Sequence, residues 1–314
     1  NCSAVHQNGE FINGVKWLTY IVIASFRLPQ LPFLGSKHTD RKSPFAGHRY
    51  ETYKAAVEAY GESLYVYDLD FLRWHGTRLR ATLPPELEII YSVKANPNVH
   101  LIREISAFAQ GVEVSSEGEL AQALAAGVPC GRILLIGPAK SRFELGFAVR
   151  HQIRAIVVES VQELSEIEAL ALRHQVVANV MIRVNPDFQP HGVRLTMTGA
   201  STQFGVEMAV ALELGKRIDA SPALQWGGLH VYVGTRILNG GAVVENFKNI
   251  LQLVRQFEEQ SGLDVPVIDF GGGLGVPYFE GESELDIEEL GAELKDILGA
   301  HRRLNPDTRY LLES

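Results

Sequence analysis

The sequence predicts an α/β protein built as a (β/α)8 TIM-type barrel, and three observations carry that expectation. From about residue 87 onward, short β-branched runs alternate with segments of helical spacing, the pattern of a parallel sheet with crossover helices. The strand-like runs number eight. The residues with distinctive chemistry fall at the ends of those runs, where barrel proteins keep their sites. A doubly wound open sheet is the other architecture that such alternation permits.

In order, the strand-like runs are 89–94 (IIYSVK), 111–115 (GVEVS), 132–136 (RILLI), 154–158 (RAIVV), 177–184 (VANVMIRV), 227–233 (GGLHVYV), 265–270 (VPVIDF) and 309–312 (RYLL). Helical spacing covers 98–109, 117–126, 141–150, 161–173, 206–219, 242–260 and 286–300. Ser116 is placed to cap the helix at 117, with Glu119 at capping-box distance.

Composition narrows the function classes. Hydrophobic residues make up 46% of the 314 and charged residues 21%, a globular balance. A net charge of −8 argues against nucleic acid or anionic membranes as partners. The two cysteines, Cys2 and Cys130, are far apart and form no CxxC or Cys/His cluster, so no metal site is expected and a reducing, cytoplasmic setting is. Trp17 to Phe26 is an apolar run too short to span a bilayer. Residues 1–49 show no coherent period and read as an N-terminal extension; residues 50–85 form a segment with the strand-like run Leu64-Tyr65-Val66-Tyr67; the barrel occupies 86–314.

Two features carry chemistry. Lys94 sits in a run that reads as a buried strand. Burying an ammonium is costly, and desolvation lowers a lysine's pKa toward the range where the amine is a nucleophile suited to a Schiff base. The alternative is a strand-end lysine that snorkels to water. The run Val267 to Gly275 is a strand entering a glycine-rich turn, whose N–H groups suit an anion such as phosphate. A tight turn with no ligand is the other reading. The glycines come too late in the chain for a dinucleotide fingerprint.

A reactive lysine on strand one and a phosphate turn after strand seven together point to pyridoxal 5′-phosphate. The matching segments are YSVKAN (91–96), GVEVSSEGEL (111–120), IGPAKS (136–141), IRVNP (182–186), QFGV (203–206), GLHVYVGT (228–235) and IDFGGGLG (268–275). In order, they resemble the fold-type III pyridoxal-phosphate decarboxylases, the group of diaminopimelate, ornithine and arginine decarboxylases with alanine racemase-like barrels. The resemblance covers roughly residues 60–314. It implies that Lys94 forms the Schiff base with the cofactor and that Gly271, Gly272 and Gly273 hold the phosphate with help from Gly234 and Thr235. It implies that Glu313, after strand eight, pairs with the pyridine nitrogen and keeps it protonated. Glu113, after strand two, is expected either near the cofactor and Lys94 or as a surface acid. His230 and Tyr232, two apart on one strand, should both point into the barrel. Most relatives carry a second histidine over the ring where this chain has Tyr232. A tyrosine can stack there but supplies no imidazolium. His230 reads equally as barrel core.

The resemblance also implies an arginine soon after Glu313, a C-terminal β-domain and a homodimer, none of which lies within these 314 residues. The expectation is a barrel with one face of strands seven and eight uncovered and Leu64–Tyr67 unpaired, hence aggregation-prone and poorly active alone. The substrate is expected to be a small amino acid. Diaminopimelate is one reading. The segment Gly275-Val276-Pro277-Tyr278-Phe279, with Tyr232, looks like a divergent branch, some of whose members act on carrier-protein-bound amino acids. An amino-acid racemase and a non-catalytic cofactor-binding homologue are the remaining alternatives.

Overall fold

A computed structural model of the chain describes residues 2–5, 20–24, 50–61, 64–189, 191–193, 195–196 and 204–314. Most of the extension expected over 1–49, and Gln203 of the QFGV segment, lie outside the described residues. The chain divides into two compact units, residues 1–76 and 77–314.

In the first unit, β1 (Cys2–Val5) pairs antiparallel with β2 (Tyr20–Ala24). Helix α1 (Tyr50–Tyr60) ends at Gly61, whose φ of 95° and N–H bond to the Val57 carbonyl close the last turn. Strand β3 (Leu64–Asp68) follows. It was expected to lack a partner; instead it pairs parallel with β2, Tyr20 opposite Leu64 through Ala24 opposite Asp68. The centre of the short apolar run is thus a strand. Helix α2 (Leu69–Thr82) crosses from the first unit into the second.

The second unit is the barrel. Its strands are β4 (Leu87–Ser92), β5 (Gly111–Val114), β6 (Ile133–Leu135), β7 (Ala155–Val158), β8 (Ala178–Arg183), β10 (Leu224–His230), β12 (Val267–Asp269) and β13 (Arg309–Glu313). Every neighbouring pair is parallel and β13 closes on β4. The alternating helices are α3 (Val99–Ile105), α4 (Glu117–Ala125), α5 (Arg142–Arg150), α6 (Val161–His174), α7 (Met208–Ala220), α8 (Gly240–Ser261) and α9 (Ile287–Leu304). A two-stranded ribbon of β9 (Leu195–Thr196) and β11 (Gly234–Thr235) is added beyond the strand ends. All eight strands and all seven helices expected from sequence are present. Strands covered on both faces need near-continuous apolar runs, and Ile90, Leu134, Ile136, Ala155, Val157, Met181 and Leu311 form one buried cluster.

Helix starts follow the capping rules. Ser141 and Glu144 make a reciprocal capping box at α5, and Ser160, Asn239 and Asp286 cap α6, α8 and α9. At α4, Ser116 accepts from the Glu119 N–H as expected. The Glu119 carboxylate, however, takes the N–H of Ser115 and not that of Ser116.

Strands seven and eight are not bare. Tyr310, Leu311 and Leu312 are at most 2% exposed. The Phe270 ring lies against Phe247 at 4.0 Å and near Tyr310, whose hydroxyl meets His301 Nδ1 at 2.9 Å. Residues Thr77–Thr82, just ahead of β4, lie on α9. There Gly291 admits the Thr82 carbonyl where any side chain would collide, and Arg78 donates from Nε and Nη2 to the Glu288 carboxylate. The face expected to be uncovered is therefore covered by α8 and α9, and Thr77–Thr82 pack on α9 in turn. Among the described residues, no helix is long and apolar enough to cross a membrane.

Candidate active site

Lys94, Glu113, His230, Tyr232, Gly234, Thr235, Gly271, Gly272, Gly273 and Glu313, the candidate site residues, all lie at or just past the C-terminal ends of barrel strands. Lys94 is not in the first strand. The ladder stops at Ser92, and Val93–Ala95 form a 3₁₀ turn that carries the side chain over the strand ends. Its side chain is 54% exposed and its Nζ is paired with Glu113 Oε1. The expected depression of its pKa does not occur. Burial pulls the ammonium's pKa down, but the charges of Glu113 and Glu313 outweigh that and leave it above the ordinary value.

Glu113 lies within β5, and its side chain is 1% exposed, so it is no surface acid. It also accepts from the Ser92 hydroxyl. Burial first, then the Glu313 charge, push its carboxyl above the usual range despite Lys94. Its Oε2 is buried with no partner among the described residues.

Across the barrel, His230 Nε2 is 3.0 Å from Glu313 Oε1, both groups fully enclosed. His230 is the last residue of β10, and Tyr232 lies two positions beyond the strand, so they do not share one strand as expected. Desolvation, with Arg183 nearby, lowers the His230 pKa to about 3, which keeps the imidazole neutral. Glu313 is raised, chiefly by burial. Asp269, at the end of β12, is 0% exposed and raised well above its usual range by burial and then by Glu313. Its Oδ1 accepts the Gly271 N–H at 2.9 Å.

Tyr232 lies beside the Arg183 guanidinium, which is 5.8 Å from its ring centre and 4.9 Å from that of Phe204. Arg183 is pinned by Glu159 at 3.0 Å, and the other Glu159 oxygen accepts the Gly205 N–H at 3.0 Å. Beneath them Lys140, 1% exposed, bonds Glu163 at 2.6 Å and the Val157 carbonyl at 2.7 Å.

The glycine turn is required by packing as well as by any ligand. Gly271 has φ 63°, and a Cβ there would sit 2.8 Å from both the Val231 carbonyl and the Tyr232 ring; at Gly272 it would sit 2.9 Å from the Glu313 carbonyl. The three N–H groups are not equivalent. That of Gly271 is taken by Asp269, whereas among the described residues neither Gly272 nor Gly273 donates a backbone hydrogen bond. A cleft of about 160 Å³ opens here, lined by Lys94, Tyr232, Thr235, Gly272, Gly273 and Glu313. On its rim, Arg236 pairs with Glu282 at 2.8 Å and stacks on Tyr278 at 4.2 Å, leaving Val276, Tyr278 and Phe279 at 60–64% exposure.

Arg183, Glu159 and Asp269 escaped the sequence reading as site residues. The available signal was a charged residue interrupting a buried run at a strand end, as in IRV and VIDF.

Residues 71–314 match the family described as pyridoxal-dependent decarboxylase, pyridoxal binding domain. This chain belongs to that family. Curated relatives include an L-glutamyl-[BtrI acyl-carrier protein] decarboxylase of Niallia circulans, 38% identical over 83% of this chain and 61% of the relative, and a diaminopimelate decarboxylase of Aquifex aeolicus, 33% identical over 78% and 58%. A diaminopimelate decarboxylase of Helicobacter pylori solved with L-lysine superposes with a TM-score of 0.74 at 27% identity, covering 83% of this chain and 65% of that one. The chain thus spans about three-fifths of the length of the relatives it matches. The residues present fit the pyridoxal phosphate that the pyridoxal-dependent family uses. A primary amine, two unengaged glycine N–H groups and a buried carboxylate face one cleft.

Proposed function

We propose that this chain is the cofactor-binding barrel of a pyridoxal-phosphate-dependent amino-acid decarboxylase. The observation that carries the reading is the single cleft shared by Lys94, the Gly272 and Gly273 N–H groups and Glu313. Bound there, the cofactor supplies an electron sink for the bond that loses carbon dioxide. Lys94 would be the amine that holds the cofactor, and Glu113 holds that amine in place and is the nearest base for its proton. Gly272 and Gly273 hold the phosphate, aided by Gly234 and Thr235, while Gly271 serves the turn itself. Glu313 would pair with the ring nitrogen, and neutral His230 steadies that carboxylate. Tyr232, braced by Arg183, is the ring's stacking platform.

Two substrate readings stand. Diaminopimelate is supported by several relatives. A carrier-tethered amino acid is supported by the 38% identical relative and by the rim of Val276, Tyr278 and Phe279, which suits an amphipathic arm better than a free zwitterion. A homodimer is the assembly that the resemblance implies.

Borohydride reduction in the presence of pyridoxal phosphate should fix the cofactor on Lys94, and Lys94→Ala should abolish the adduct. Labelled carbon dioxide should be released from diaminopimelate or from carrier-bound glutamate. An adduct at another residue, or none, refutes the cofactor assignment. Loss of optical rotation without carbon dioxide would mark a racemase, and an adduct with neither a non-catalytic homologue.

A further inference from the structure

We propose that Asp269 is a positioning residue that stays protonated in the folded chain and thereby leaves the negative charge of this buried corner to Glu313. The inference rests on the reading of Glu313 as the partner of the cofactor's ring nitrogen. It adds a group that sets the charge of that carboxylate without touching the cofactor.

The geometry comes from three strand ends. His230 closes β10, Asp269 closes β12 and Glu313 closes β13, and one polar atom from each lies within 4.8 Å of the others. Their exposures are 1%, 0% and 3%. Two carboxylates this close in a dry interior cannot both ionise unless a cation serves them.

The nearby cations are already committed. Lys94 pairs with Glu113, Arg183 with Glu159, and Arg154, ahead of β7, with Glu88. His230 offers no positive charge because its burial keeps the ring neutral. The groups that act on Asp269 are Glu313 from β13 and Glu113 from β5, both raising its proton affinity, and Arg154 opposing them. Glu313 alone of the pair also feels Lys94 and Arg183, so it is the member that ionises.

The two oxygens of Asp269 divide the work. Oδ1 accepts the Gly271 N–H at 2.9 Å and fixes the start of the glycine turn. Oδ2 is buried with no partner among the described residues, a far costlier place for half a negative charge than for a neutral hydroxyl.

Infrared spectroscopy of the chain without added cofactor reads this directly. With side-chain ¹³C-labelled aspartate, a protonated-carboxyl C=O band should shift at neutral pH. Asp269 is the only fully buried aspartate among the described residues, so the band should be absent from Asp269→Asn. The Asn variant keeps an oxygen for Gly271 and is permanently neutral. Its dissociation constant for pyridoxal phosphate, measured by fluorescence, should match the wild type at neutral pH within about twofold. Above the Asp269 pKa the wild type should weaken by up to about tenfold per pH unit relative to that variant. Asp269→Leu, which also removes the acceptor for Gly271, should weaken binding at every pH.

Absence of the aspartic-acid band in the wild type overturns the proposal, and that measurement stands even if the variants fail to fold. So does an Asn variant with intact circular dichroism that binds the cofactor more than about tenfold more weakly, one pKa unit's worth. Failure of borohydride to fix cofactor on Lys94 refutes the functional reading instead, and leaves the infrared result to decide the proton.

Discussion

Lys94 and Glu113 form an ion pair across the first two strands of the barrel, with the lysine more than half exposed and the glutamate enclosed. The glutamate's charge, with that of Glu313, raises the amine's pKa against the lowering effect of burial. Glu113→Gln should therefore lower the Lys94 pKa. Each unit of fall increases the free-amine fraction about tenfold at a pH below the pKa. The rate of borohydride-trapped adduct formation against pH should shift to lower pH. An unchanged profile would show that Glu113 does not control the amine.

His230 makes the fold sensitive to acid. Unfolded, its ring takes a proton near pH 6.5; folded, only near 3. Between those values the unfolded state binds more protons, so stability present above about pH 6.5 is lost as pH falls. The full loss is on the order of 4–5 kcal/mol at the lower end. Glu113, Asp269 and Glu313 act oppositely: their raised pKa values give stability below the ordinary carboxylate range that is lost as pH rises through the folded values. Urea midpoints across pH should show a steep acid limb that His230→Gln flattens.

Lys140 and Glu163 form a second enclosed pair, away from the cleft. Lys140→Met should cost about 3–5 kcal/mol at neutral pH because it strands a buried carboxylate. The loss should shrink in mild acid, where Glu163, already raised by burial, takes a proton. Lys140→Met combined with Glu163→Gln should recover part of it. Equal losses for the single and double variants in urea unfolding would refute the account.

Gly271→Ala should both destabilise the barrel and disturb the cleft. The left-handed backbone costs about 1–2 kcal/mol for an L-residue, and the new methyl meets the Val231 carbonyl and the Tyr232 ring. A fall in Tm of at least about 2–4 °C is expected, with weaker cofactor binding as Tyr232 is pushed aside. Full retention of both would place the turn elsewhere.

The barrel was legible because every strand is buried on both faces and its apolar run has no competing period, as in 132–136 and 154–158. What escaped were endpoints and partners. Tyr91 and Ser92 continue the strand pattern, so nothing local marks the 3₁₀ turn that lifts Lys94 out of it. Asp269 reads as one polar residue in VIDF. Its closeness to Glu313 and His230 arises only when three strand ends distant in sequence close the ring. Arg183 and Glu159 escaped for the same reason. The pairing of β2 with β3 joins two segments separated by a stretch without pattern, so no spacing rule reaches across it.

The 3₁₀ turn has a mechanical consequence. A strand residue's backbone is tethered to neighbours on both sides, and shifting it would strain the sheet. Val93–Ala95 lie past the last rung, so the Lys94 backbone can shift, as well as its side-chain torsions rotate, while the ladder beneath it stays intact. The scaffold and the travelling group are thereby mechanically separate although they adjoin in the chain.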